Sequence, residues 1–220
     1  MSIETNLKAV QSLLPQDVTL VAVSKTHAPE VVMKAYEAGQ RVFGENRVQE
    51  LQEKYELLPK DIEWHQIGHL QKNKVKYIAP FVSLIHAVDS PELLDVINKE
   101  GSKYNRRIPC LIQLHIAAED SKFGFAYEEA KKFFEAFRSD LYPNVLIKGL
   151  MGMATFTEDV AKIRNEFRTL KSFYNLIKNT YYSESEEFNT LSMGMSSDYM
   201  IAIEEGSNLV RVGSAIFGSR

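Results

Sequence analysis

The sequence holds one cysteine, Cys110, so no disulfide can form within its 220 residues. That suits a reducing compartment. Cys110 stands inside the apolar run PCLIQLHIA and reads as a small buried hydrophobe rather than a reactive thiol. No apolar run approaches membrane-spanning length. The first residues, MSIETNLKAVQSLLP, lack the basic start and unbroken apolar core of a signal peptide. The net charge is only −3 and no run of basic residues forms a patch, so neither nucleic acid nor an anionic membrane is expected as a partner. Low-complexity tracts and linkers are missing too, and the polar segment YYSESEEFN reads as a surface loop. What is left is a cytoplasmic protein of ordinary composition, 45% hydrophobic and 25% charged, expected as a single domain over residues 1–220. No exposed apolar stripe demands a dimer, so a monomer is expected.

What is present is a rhythm. After a helix near residues 2–14, eight short β-branched runs follow: TLVAVSK, RVFGEN, EWHQIG, SLIHAVDS, PCLIQLHI, VLIKGLMGM, FNTLSMGM and LVRVGSAIFG. Between them lie amphipathic stretches such as PEVVMKAYEAG, ENRVQELQEKYELL, SPELLDVINKEGSKY, AYEEAKKFFEAFRSDL, EDVAKIRNEFRTLKSFYNLIKNTYY and SDYMIAIEEG. Two of these helices start on Pro29 and Pro91, and two stop at Gly39 and Gly206, as helix ends prefer. Alternation of strand and helix predicts a parallel sheet, and eight units predict a compact (β/α)₈ TIM barrel with one extra N-terminal helix. A doubly wound open sheet is the alternative. It would carry a glycine fingerprint after its first strand, and VSKTHAPE has none.

In such barrels the chemistry sits where strands end. Alternation places Val21, Val23 and Lys25 on one face, which aims Lys25 into the barrel mouth. Apolar surroundings there favour the neutral amine that attacks carbonyls. Position alone leaves a solvated loop lysine equally open. Arg211 lies inside the last strand on the face of Gly213, and an inward guanidinium needs a strong acceptor. The Gly213–Ser214 turn offers backbone N–H groups. The seventh strand ends in SMGMSSDYM, where Ser196, Ser197 and Asp198 open a helix. Phosphate sites in these barrels recur in those two loops, so a phosphate is expected, with helix capping by Ser197 or Asp198 as the plainer reading. Asn46 ends the second strand as a ligand contact or an N-cap. Asp89 and Ser90 are expected to cap the helix at Pro91. His65 and His69 bracket a strand end without the glutamate of a zinc protease between them, so no metal site is expected. These groups together suit a phosphorylated carbonyl compound, either an aldolase substrate or pyridoxal 5′-phosphate (PLP).

The segments VAVSKT, FGENRVQE, WHQIGHLQKNK, the VDS of HAVDS, DSKFG, GLMGMATF, LSMGMSSD and VRVGSAIFG run in order along nearly the whole chain. In these the sequence resembles the pyridoxal phosphate homeostasis protein family, single-barrel relatives of alanine racemase. The resemblance implies PLP as cofactor, held as an internal aldimine on Lys25. It implies Ser196, Ser197, Gly213 and Ser214 around the phosphate, Arg211 facing the pyridine nitrogen, and Asn46 and Met153 lining the cofactor. His115 departs from the family, which more often has asparagine there. The family is regarded as lacking robust catalysis and as acting in vitamin B6 and amino-acid homeostasis.

Physics points the same way. Guanidinium is too weak an acid to protonate the pyridine nitrogen, so the ring becomes a poorer electron sink. Racemisation also needs an acid/base on each face of the α-carbon. Lys25 supplies one, and Tyr199 is the local candidate for the other. A carrier or regulator is therefore expected rather than a catalyst, with apo-enzymes as candidate recipients of cofactor. The alternatives are a PLP-dependent racemase of low activity and, less favoured, a Schiff-base aldolase.

Overall fold

Parallel pairing in chain order, with the last strand closing on the first, gives a sealed eight-stranded barrel in the computed structural model, which describes residues 2–117 and 123–218. The DSK of the DSKFG segment lies outside the described residues. The order is α1 (Ile3–Ser12), β1 (Thr19–Val23), α2 (Pro29–Glu37), β2 (Val42–Glu45), α3 (Val48–Leu57), β3 (Glu63–Gln66), α4 (Val75–Ile78), β4 (Leu84–Val88) and α5 (Pro91–Lys103). It continues with β5 (Ile108–Gln113), α6 (Tyr127–Ala136), β6 (Val145–Met151), α7 (Val160–Tyr181), β7 (Thr190–Ser192), α8 (Tyr199–Glu204), β8 (Leu209–Val212) and α9 (Ser214–Phe217). Closure is made by β1 against β8, in a register that sets Val21 beside Arg211.

Strand alternation sorts the core into two layers. Leu20 and Ala22 face outward and pack with the helices, whereas Val21 turns inward with Leu84, Ala87, Leu111, Met151 and Leu209. The longest helix, α7, buries Ile163, Phe167, Leu170, Tyr174 and Ile177, a stripe at three- and four-residue spacing. Pro29 and Pro91 occupy first-turn positions, and Gly39 and Gly206 follow helix ends with φ of 101° and 93°. No described helix is long and apolar enough to cross a membrane.

The structure departs from the expectations drawn from sequence at several points, and most strands are shorter than the runs that predicted them. The helix anticipated from Glu45 starts at Val48, because the Glu45 carbonyl is still held in the sheet by the Ile67 amide at 3.0 Å. The last strand stops at Val212, and the SAIF that follows is one helical turn rather than strand. Such a short apolar run fits either period. Ile216 is buried there, and its carbonyl accepts from Asn6 Nδ2 of α1 at 3.0 Å. A short helix, α4, fills the β3–β4 connection, where no helix was anticipated. Finally, α5 has no side-chain cap bond, because the Asp89 carboxylate turns to His69 at 3.0 Å.

Candidate functional site

A cavity of about 590 Å³ opens at the C-terminal mouth of the barrel, and its wall brings together Lys25, Asn46, Met153, Ser196, Ser197, Arg211, Gly213 and Ser214. Seven of these were singled out at the strand ends, and Met153 was implied by the family resemblance. Val23 lines the same wall, so the inward face of β1 runs on into Lys25. Lys25 is half-buried and sits in the turn two residues past the end of β1. Asn46 is not a helix cap; that place belongs to Arg47. Gly68 makes the close packing of its loop possible, since a Cβ there would come within 2.6 Å of the Asn46 carbonyl oxygen.

The turns after β7 and β8 are tied directly. The Gly213 amide donates to Ser196 Oγ at 3.0 Å, so that N–H is engaged within the protein. Ser214, at the first position of α9, has an amide without an intrahelical acceptor. Asp198 does not cap α8 through its side chain; its carboxylate accepts from the Met195 amide at 2.6 Å and so tightens the turn carrying both serines. Burial raises the Asp198 pKa, opposed by that bond and by Arg211. Behind the turn, Arg164 and Arg168 of α7 bind Glu205 at 2.8 and 3.0 Å.

Arg211 forms the floor. Only 4% exposed, it donates to Ser192 Oγ and, at 3.1 Å, to the Gly152 carbonyl. Those bonds use two of its five N–H donors. Burial pushes its guanidinium down to about 10, with Asp198 opposing. From Ser192 a buried chain crosses the barrel: Ser192 Oγ lies 3.0 Å from His86 Nδ1, and His86 Nε2 lies 3.0 Å from His65 Nδ1. A neutral His86 donates from one ring nitrogen and accepts at the other, so the two contacts run in one sense along the chain. Burial, with Lys148 adding, holds His65 down at about 3. His86 is depressed well below the usual range by burial, then by His65 and Arg211.

His65 and His69 therefore part company. His65 belongs to the interior chain, whereas His69 lines the cavity, held by Asp89 and stacked on Phe123 at 3.7 Å. Among the described residues no group of three His, Cys, Asp or Glu side chains is placed to hold a metal ion. Tyr199 packs against the apolar core and is not part of the cavity wall. His115 lines a smaller, mainly apolar alcove that shares Gln113, Phe123, Met153, Phe156 and Met195 with the main cavity. Cys110 is buried, and burial drives its thiol pKa upward.

Sequence reasoning missed His27, Gln113 and the role of His69. Gln113 had a usable signal: it ends β5 in phase with the inward Leu111. Its Nε2 donates to the Phe123 carbonyl at 3.1 Å. Chemically, the wall combines a primary amine, a hydroxyl-rich pair of turns suited to an oxyanion, and a buried guanidinium able to meet a ring acceptor.

The family model described as alanine racemase, N-terminal domain, matches residues 1–220. The pyridoxal phosphate homeostasis protein of Aquifex aeolicus (strain VF5) is 42% identical, over 91% of this chain and 86% of that protein. Its counterpart in Pasteurella multocida (strain Pm70) is 36% identical, over 100% and 98%. Among solved structures, PipY of Synechococcus elongatus with PLP bound superposes with a TM-score of 0.88 at 32% identity, covering 99% of this chain and 100% of that one. With the whole barrel shared from first helix to last turn, the chain belongs to the pyridoxal phosphate homeostasis protein family.

Proposed function

We propose that this protein binds PLP and acts in vitamin B6 homeostasis as a carrier or regulator. The observation that carries the reading is the convergence on one cavity of Lys25, the Ser196–Ser197 and Gly213–Ser214 turns, and Arg211. PLP offers an aldehyde, a phosphate and a basic ring nitrogen, and the wall offers one partner of the right kind for each. The three requirements are independent, so the fit is specific. PipY, 32% identical, is a relative with PLP bound.

In this reading Lys25 holds the cofactor as a Schiff base, the two turns hold its phosphate, and Asn46 and Met153 flank it. Arg211 meets the ring nitrogen. When bound, PLP supplies an electrophilic carbon and a conjugated electron sink. Arg211 weakens the sink, because a guanidinium does not give up its proton to pyridine. The neutral His86–His65 chain behind Arg211 supplies no acid either. Holding and releasing cofactor, by exchange of Lys25 for another amine, then suits the site better than carbanion chemistry.

The test is spectroscopic. The purified protein mixed with PLP should develop a near-ultraviolet or visible band, borohydride should fix the adduct on Lys25, and Lys25→Ala should lose the band while keeping its fold. A wild-type protein that develops no band overturns the reading. For delivery, loaded protein is mixed with an apo-enzyme, and transfer no faster than spontaneous release argues against it.

One observation favours a second reading, a weak racemase. The His69 imidazole, oriented by Asp89, lines the cavity along with Lys25 and could serve as an acid/base. Exchange of amino-acid α-protons into deuterated water, lost in His69→Phe, would support it. No exchange above buffer would dismiss it.

A further inference from the structure

The strand that aims Lys25 ends in a strained turn held from both sides. Thr26 has φ of +66°, one of two non-glycine residues with positive φ among those described. A β-branched side chain is poorly tolerated there, so the surroundings must impose the conformation. Its amide donates to Glu50 Oε2 at 2.7 Å. On the other side, Ser24 is fully buried; its hydroxyl donates to Glu45 Oε1 at 2.6 Å, and its carbonyl accepts from Lys54 Nζ at 2.8 Å. Lys54, 4% exposed, also binds Glu45 Oε1 at 2.6 Å and lies 3.8 Å from Glu50 Oε2. Lys54 and Glu50 thus grip the backbone on either side of Lys25, and Glu45 holds the Ser24 hydroxyl and the Lys54 ammonium together.

The grip is asymmetric. Both bonds to Glu45 fall on Oε1, and its buried Oε2 has no hydrogen-bond partner among the described residues. Ser24 and Lys54 thus meet on a single carboxylate oxygen.

We infer that Glu45, Lys54 and Glu50 are positioning residues for Lys25, a clamp that presents its amine to the cavity. The inference rests on the proposed reading of Lys25 as the amine that condenses with the aldehyde. In that step a C=N bond forms between the lysine nitrogen and the aldehyde carbon, and the aldehyde oxygen leaves as water with the two amine hydrogens. The clamp takes no part in that exchange. It fixes where the amine stands.

The test compares Glu50→Ala, Glu50→Gln and Lys54→Met with the wild type. Hydrogen exchange of the Thr26 amide in cofactor-free protein reads the clamp itself. Stopped-flow growth of the absorbance band on mixing with PLP reads its effect, and peptide mapping after borohydride reports the site of attachment. Glu50→Ala should speed Thr26 exchange and slow band growth by about tenfold each, the loss of one charge-assisted hydrogen bond. Glu50→Gln still presents an oxygen to the Thr26 amide but no charge, and should fall between wild type and Glu50→Ala. Lys54→Met should slow band growth at least as much. Because Glu50 is only partly buried, its variants keep the test open if Lys54→Met fails to fold. Folded Glu50→Ala with wild-type exchange and wild-type band growth overturns the clamp alone. A wild type that attaches no PLP at Lys25 overturns the underlying reading, whatever the exchange result.

Discussion

The amide of Gly213 and the hydroxyl of Ser196 are hydrogen-bonded at 3.0 Å, which makes one structure of the loops after β7 and β8. Neither loop is then free to adjust to an anion by itself. The bond also ties the floor to the rim, since Gly213 stands two residues beyond Arg211 on the same inward face.

Ser196→Ala removes the acceptor of that bond and one hydroxyl from the cavity wall. PLP affinity should fall by about tenfold, corresponding to about 1.4 kcal/mol, with the far-ultraviolet circular dichroism unchanged. Equilibrium titration of the absorbance band measures it, and an unchanged dissociation constant would show that the tie is dispensable.

Gly68→Ala tests the approach of the β3 loop to Asn46. The new methyl would sit 2.6 Å from the Asn46 carbonyl oxygen and 2.9 Å from its Cα, so backbone must shift. A stability loss of about 1–3 kcal/mol is expected from such overpacking. It should come with weaker PLP binding, because Asn46 lines the cavity. Denaturant unfolding and titration check both parts.

The buried histidines make stability depend on pH. His65, at about 3, and His86, also depressed, stay neutral in the folded barrel and regain the ordinary value of 6.5 when unfolded. The unfolded chain then binds more protons below pH 6.5, so their contribution is fully present above that pH and is lost as the pH falls toward the folded values. Each histidine contributes a slope of about 1.4 kcal/mol per pH unit in that window. The melting temperature should drop between pH 6.5 and 5, and His86→Gln should flatten the drop while lowering stability at pH 8. Equal slopes in both proteins would refute the assignment.

Cys110 should be silent. Buried and with its thiol pKa pushed upward, it should react with a thiol reagent only as the barrel unfolds. Labelling kinetics with and without denaturant decide the point.

How far the sequence could be read depended on whether a feature was local. Strand–helix alternation is written into short windows, and with it came the barrel, the closing strand and the inward direction of Lys25 and Arg211. The rule that function gathers at strand ends then picked out residues that do share one cavity. The His65–His86–Ser192–Arg211 chain was invisible because its members come from four different strands, β3, β4, β7 and β8, and no short window contains two of them. Nothing in HAV or TLS announces a partner across the barrel. Asp89 was misjudged for a related reason: in sequence it neighbours a helix start, but in space it faces His69. Glu45, Glu50 and Lys54 read as an ordinary helix entrance, and only the fold brings them around Ser24 and Thr26.

Closure of β1 on β8 carries a consequence for biosynthesis. Lys25 is translated early, whereas Arg211, Gly213 and Ser214 follow it by 186 to 189 residues. The β1 strand cannot pair with β8, and Lys25 cannot share a cavity with Gly213 and Ser214, until all eight strands have been synthesised. Under the proposed reading, PLP is therefore captured only after the eighth strand has closed the barrel, not by a partial one.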